Sequence, residues 1–227
     1  MKNSSNPWSK QQEKVYSTID KDETTRSLNL ERVKLLLNYV GSNKRVLDLG
    51  CGDGGVCNAL HEQENEVVGV DLEGVVEIAK QKYPHLEFIS ADLSQKFPFA
   101  DHEFDIIYAY EILEHIPDDK QFLKECHRVL IDGGSLVITT PNKFYIRNRF
   151  YELFGKDWRD PIRDIDTHIH FYSFKTIKKL LDYCVFSIIC SKGIEYLKGG
   201  IFFWLERILP KTFKNGIFVI AIKSQGD

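Results

Sequence analysis

Val46-Leu47-Asp48-Leu49-Gly50-Cys51-Gly52-Asp53-Gly54-Gly55 places four glycines directly behind a short apolar run, and a helix-forming stretch, Val56–Glu62, follows. The apolar run predicts a buried strand. The glycines predict a turn where backbone passes close to a ligand or takes positive φ. A helix starting there offers free N–H groups to a polar or anionic ligand. Strand, glycine turn and helix in this order open a βα unit suited to a nucleotide-type molecule.

Working outward, short β-branched runs alternate with helical patterns. Lys44–Gly50, Glu66–Asp71, His85–Ser90, Phe104–Ala109 and Ser135–Thr139 read as five strands of a parallel sheet covered on both faces. Phe122, Leu123, Cys126, Val129 and Leu130 form one stripe over Asp118–Ile131, a crossover helix that Gly133-Gly134 is expected to stop. Residues 141–172 break the rhythm with Pro141, Asn142, Gly155 and Pro161, so an insertion is expected after the fifth strand. Ser173–Tyr183 resumes as a helix with Ser173 as N-cap, followed by strands near Val185–Ser191 and Ile217–Ile222 with a helical stretch, Ile201–Leu209, between them. Upstream, a polar arm leads into a helix, Leu28–Val40. The expected fold class is α/β, a Rossmann-like doubly wound sheet, and the whole of 1–227 is read as one domain with its arm and first helix in 1–43.

Composition narrows the class. With 227 residues, 43% hydrophobic and 12% aromatic, the chain fills a core of its own, which excludes disorder as the bulk state. Its five cysteines include no C-x-x-C pair, arguing against a disulfide framework or thiolate zinc site and for a reducing, cytoplasmic setting. Met1–Lys14 lacks the apolar core of a signal peptide, and no apolar run approaches a membrane span. The net charge of -3 is uneven, residues 1–140 holding 15 Lys+Arg against 24 Asp+Glu and residues 141–227 holding 15 against 9. The basic last third suits an anionic acceptor or a plain solvated surface.

Gly50, Gly52 and Gly55 also satisfy G-x-G-x-x-G, with Asp71 ending the next strand where an acid meets a ribose. A nicotinamide dehydrogenase, a non-catalytic binding module and an ordinary glycine turn all share that feature. Three further features narrow the choice. Asp48 lies inside an apolar strand and needs a cationic or hydrogen-bonding partner, a role that a ligand ammonium fills. Ala91-Asp92-Leu93 follows the third strand and pairs an acceptor for an adenine amino group with an apolar residue for its ring. Tyr110-Glu111 follows the fourth.

Taken together, Asp48-Leu49-Gly50-Cys51-Gly52-Asp53-Gly54, Asp71-Leu72, Asp92-Leu93 and Phe104-Asp105 leading to Glu111-Ile112-Leu113-Glu114-His115 resemble class I S-adenosylmethionine-dependent methyltransferases. The resemblance implies a seven-stranded sheet whose last strand is antiparallel, with Ile217–Ile222 as that strand. It implies S-adenosyl-L-methionine as cofactor, Gly50 and Gly52 against its methionine part, and Asp71 on both ribose hydroxyls. Leu72 and Leu93 would flank adenine, Asp92 would accept from its amino group, and Tyr110 would border the methionine end. An arginine ahead of the first strand often holds the cofactor carboxylate in related enzymes, and Arg26 and Arg32 are equal candidates.

Methyl transfer from a sulfonium is an in-line displacement, so an acceptor hydroxyl or amine must be aligned and relieved of a proton. His115 is the expected catalytic base, because imidazole titrates near neutrality. Glu111-Ile112-Leu113-Glu114-His115 also resembles a segment of ubiquinone-biosynthetic O-methyltransferases and small-RNA 2′-O-methyltransferases that binds a divalent metal. The resemblance implies Glu111, Glu114, His115 and His170 as ligands to Mg²⁺ or Mn²⁺, with His168 the substitute for His170. The spacing i, i+3, i+4 puts the first three on one face of a helical turn. The chain lacks the RNA-binding extensions of the RNA enzymes, so a small metabolite, sugar or lipid-linked glycan is preferred over nucleic acid. Residues 143–172 are expected to cap that acceptor. Gly200–Leu209 is expected to pack as core, with an apolar pocket or peripheral membrane contact as alternatives.

Overall fold

The computed structural model describes residues 31–155, 168–194 and 210–224. Its strands are β1 (Arg45–Leu49), β2 (Glu66–Asp71), β3 (Glu87–Ser90), β4 (Phe104–Tyr110), β5 (Leu130–Pro141), β6 (Phe186–Ile194) and β7 (Gly216–Lys223). Its helices are α1 (Glu31–Val40), α2 (Gly55–His61), α3 (Glu73–Lys82), α4 (Asp119–Val129), α5 (Ile146–Leu153) and α6 (Phe174–Tyr183). The strands form one seven-stranded sheet in the order β3-β2-β1-β4-β5-β7-β6. The pairs from β3 through β5 are parallel, and β7 runs antiparallel to both β5 and β6. The order reverses at β1, which opens a crevice beyond the carboxyl ends of β1 and β4.

Two apolar layers hold this sheet. On one face Leu36 and Val40 of α1, Cys57 and Leu60 of α2, and Val76 and Ala79 of α3 cover Val46, Ile106, Tyr108, Val137 and Ile220. On the other, Phe122, Leu123, Cys126 and Val129 of α4 and Ile177 and Leu181 of α6 cover Leu47, Ile107, Leu136 and Val219. Each fully buried aliphatic side chain contributes about 1.5–3 kcal/mol, so both stripes matter to stability. α6 begins as its sequence announces, with Ser173 accepting from the Thr176 amide and Thr176 accepting from the Ser173 amide in a reciprocal cap.

The largest difference from the sequence expectation lies between α4 and β5. The crossover helix ends at Val129, and Leu130 is already extended, so Gly133-Gly134 does not stop it. Those glycines serve the lengthened β5 instead. A Cβ on Gly134 would stand 2.9 Å from the Ile131 carbonyl oxygen and 3.0 Å from that of Asp105, beside the register shift between β4 and β5. The helix expected at Ile201–Leu209 and the centre of the expected cap, 156–167, lie outside the described residues. Among the described residues no helix is long and apolar enough to cross a membrane.

Candidate active site

The glycine turn leaves β1 at the crevice. Asp48, 2% exposed on β1, accepts a hydrogen bond from the Cys57 thiol of α2 at 3.3 Å. Burial pushes its pKa up to about 7, opposed by the Cys57 hydrogen bond and assisted by Asp71. A carboxyl held at the edge of ionising inside the protein is matched to a cation that arrives from outside.

Asp71 ends β2 and is fastened by two backbone donors, Gly52 N–H to Oδ2 at 2.9 Å and Leu72 N–H to Oδ1 at 2.7 Å. Burial raises its pKa to about 6 despite those two bonds. Each oxygen retains a second acceptor site, a pattern suited to two vicinal hydroxyls. Leu72 is half-buried at the start of α3, and Leu93 is buried in the core. Asp92 is half-buried, and its Oδ1 accepts from the Ser94 amide at 2.9 Å and the Ser94 hydroxyl at 2.7 Å.

At the end of β4, the Tyr110 ring stacks on Tyr108 with centroids 6.2 Å apart, and the Arg32 guanidinium of α1 lies 4.0 Å over it. Arg32 is 6% exposed, so a cation is stationed beside the crevice. Arg26 lies outside the described residues.

Glu111 differs from the single helical face that its spacing suggests. It has φ 50, a left-handed conformation costly for a side chain of this kind, and helical structure begins only with a 3-10 turn, Leu113–His115. Glu114 is 1% exposed and its Oε2 accepts from the Thr140 hydroxyl at 3.0 Å, while its carboxyl also meets that of Glu111. Burial, and next the charge of Glu111, hold the Glu114 carboxyl well above the usual carboxylate range.

The imidazole beside His115 belongs to His168, with ring centroids 4.6 Å apart. Glu114, His115 and His168 each offer a ligand atom, and those atoms lie within 4.8 Å of one another. His170, the expected fourth ligand, has its Nε2 3.4 Å from the Pro117 carbonyl oxygen instead. The reason is local: the amides of Ile169 and His170 both donate to the Glu114 carbonyl, which leaves His168 over His115 and carries His170 past it.

A family model described as a methyltransferase domain matches residues 47–138, the span holding the glycine turn, Asp71, Asp92 and Glu111–His115. That span is a class I S-adenosylmethionine-dependent methyltransferase domain. A Mycolicibacterium smegmatis protein named as a probable S-adenosylmethionine-dependent methyltransferase is 31% identical over 103 residues, 45% of this chain and 40% of the relative. The ubiquinone biosynthesis O-methyltransferase of Coxiella burnetii is 32% identical over 137 residues, 58% of each chain. The chain thus spans about half the length of these two relatives. A structure of a complex between the Haloferax volcanii Trm112 methyltransferase activator and a methyltransferase contains a chain that superposes with TM-score 0.73 at 19% identity, covering 94% of this chain and 96% of its own. At that identity the likeness concerns the fold.

The methyltransferase domain has contributors that the sequence reading missed. Thr140 orients Glu114 from the end of β5, and Tyr108 and Thr139 carry buried hydroxyls on the α1 face of the sheet. A period of two from Tyr110 back to Tyr108 was the available signal, since both project to one side of β4. Thr139 and Thr140 gave none beyond preceding Pro141.

Proposed function

We propose that the chain uses S-adenosylmethionine to methylate a hydroxyl of a small metabolite, sugar or lipid-linked acceptor. The observation that carries this reading is the placement of two buried acids, Asp48 and Asp71, around the glycine turn, with His115 beyond the adjacent strand β4. The residues fit the cofactor: Asp48 suits its ammonium, Asp71 its ribose hydroxyls, Leu72 and Leu93 its adenine ring, and Arg32, placed over Tyr110, its carboxylate. Bound S-adenosylmethionine supplies an electrophilic methyl group on a positively charged sulfur. His115 would accept the proton of the acceptor hydroxyl, whose oxygen would displace the sulfur of the sulfonium and leave S-adenosylhomocysteine, with 143–172 the candidate cap over the acceptor. The Coxiella burnetii relative's printed name supports oxygen as the methylated atom.

Calorimetry tests the cofactor half. S-adenosylhomocysteine is expected to bind and NAD is not, and Asp71→Ala is expected to weaken the former by about 1–3 kcal/mol, as for loss of hydrogen bonds to a charged acceptor. Unchanged affinity in a folded Asp71→Ala protein removes the ribose assignment; preference for NAD removes the methyltransferase reading.

A divalent metal is a second reading of the same cluster, with His115 a ligand instead of the proton acceptor. Glu114, His115 and His168 would hold it with Glu111 alongside, and the two facing carboxyls of Glu111 and Glu114 are groups that such an ion would satisfy. One carboxylate and two imidazoles suit Mn²⁺ or a neighbouring transition metal better than Mg²⁺. When bound it would acidify the acceptor hydroxyl. Mn²⁺ titration followed by electron paramagnetic resonance is expected to show one bound ion, weakened about tenfold or more by Glu114→Gln and by His168→Ala. An absence of bound Mn²⁺ leaves His115 as the proton acceptor without metal.

A further inference from the structure

Tyr108 and Thr139 bury hydroxyl oxygens that meet no hydrogen-bonding group among the described residues. Tyr108 is 1% exposed and Thr139 0%. Such groups carry an uncompensated desolvation cost when left unsatisfied, so two on one sheet face call for a reason. Their position supplies one. Tyr108 pairs in register with Asp48 of β1, and Tyr110 pairs with Thr139 of β5, so all four side chains project toward the layer headed by α1. Arg32 reaches over Tyr110 from α1 itself. The charges that act on the Tyr108 hydroxyl are those of Asp48, Tyr110, Arg32 and Glu111.

One sheet face at the crevice end of β1, β4 and β5 therefore carries a carboxyl group, a guanidinium and two buried hydroxyls. One acid and one base within one cradle recognise a zwitterion, and neutral donors complete the contacts that a single guanidinium leaves to a carboxylate. We propose that Tyr108 and Thr139 are positioning residues that donate their hydroxyls to the amino-acid end of the cofactor, and so select a cofactor in which that end is intact. This rests on the cofactor reading above. It assigns the cost of two unsatisfied hydroxyls in the free protein to discrimination in the bound one: a nucleoside lacking the amino-acid part leaves both hydroxyls unserved.

The test compares S-adenosylhomocysteine with 5′-methylthioadenosine, which has the same nucleoside and no amino-acid part, by calorimetry on the full chain and on Tyr108→Phe and Thr139→Val. Each variant is expected to bind S-adenosylhomocysteine about tenfold more weakly and 5′-methylthioadenosine unchanged. In the ligand-free state each is expected to melt about 2–4 °C higher than the parent, because an unsatisfied buried hydroxyl has been removed. A role confined to packing predicts the opposite signs, a lower melting point and equal losses for both ligands, and that result overturns the proposal. So does parental affinity for S-adenosylhomocysteine in both variants. Failure of the parent protein to bind either nucleoside overturns the cofactor reading instead, and is told apart because no variant is needed to see it.

Discussion

Gly50→Ala is expected to destabilise the protein by about 2–5 kcal/mol and to remove measurable cofactor binding. Gly50 has φ +79, and a Cβ there would stand 2.1 Å from Ile112 Cδ1 and 2.5 Å from Ile112 Cγ1. Ile112 is itself buried and lies between the strained Glu111 and the turn bearing Glu114 and His115, so it has little room to retreat. Two costs therefore add, the left-handed backbone at roughly 1–2 kcal/mol and the overpacking at roughly 1–3 kcal/mol. Trimming the partner separates them: Gly50→Ala with Ile112→Ala recovers the packing part relative to Ile112→Ala alone and leaves the backbone part. Urea denaturation of the four proteins measures both terms. A Gly50→Ala protein with the parental midpoint and affinity would contradict the interlock between the cofactor turn and the acid-base segment.

Cofactor affinity is expected to climb about a hundredfold between pH 5.5 and pH 8, with most of the rise below pH 7. The free protein holds Asp48 at about 7 and Asp71 at about 6, in each case chiefly through burial. An ammonium and a pair of hydroxyl donors both prefer the ionised carboxylates, so binding expels whatever protons are present. At pH 5.5 that expulsion costs about 30-fold in affinity at Asp48 and about 4-fold at Asp71, and at pH 8 almost nothing. Stability of the free protein moves the other way. Both acids bind protons more tightly folded than unfolded, so their contribution is present below pH 4 and is lost as pH rises toward 7. Calorimetry of S-adenosylhomocysteine in buffers of different ionisation enthalpy reads the released protons directly. A flat affinity profile, or proton uptake on binding, sinks the assignment of Asp48 to the ammonium.

The parts of the fold legible in the sequence are those written locally. Alternating β-branched runs and one glycine turn gave the strand series, and β2 at Glu66–Asp71 was bounded to the residue. The antiparallel last strand followed from resemblance, since no run of residues announces its own direction. The misplaced end of α4 has a physical origin. Leu130 continues the apolar stripe of the helix, yet it is buried as the first residue of β5 opposite Phe104, so tertiary pairing overrode helical periodicity.

The site divides the same way. Asp48, Asp71 and the glycines are contiguous with the strands that present them, and their spacing predicts where they meet. His168 reaches His115 across more than fifty residues of chain through two amides on one carbonyl, a contact that spacing does not encode. That His168 and not His170 stands over His115 depends on that register, just as the Arg32 guanidinium over Tyr110 depends on the path of α1.

Asn142 shows how the two halves of the molecule are joined. Its side chain donates to the carbonyls of Thr212 and Lys214 and accepts from the Phe144 amide, and its own amide donates to the Asn215 carbonyl. With the two hydrogen bonds that the Ile169 and His170 amides donate to the Glu114 carbonyl, this makes two knots, one on either side of the stretch from 143 to 168. Both knots use backbone partners, so neither depends on the side chains carried between them. The segment is in this sense clasped from the sheet side: Asn142 grips its start and the Glu114 carbonyl its end, while His168 at that end faces His115.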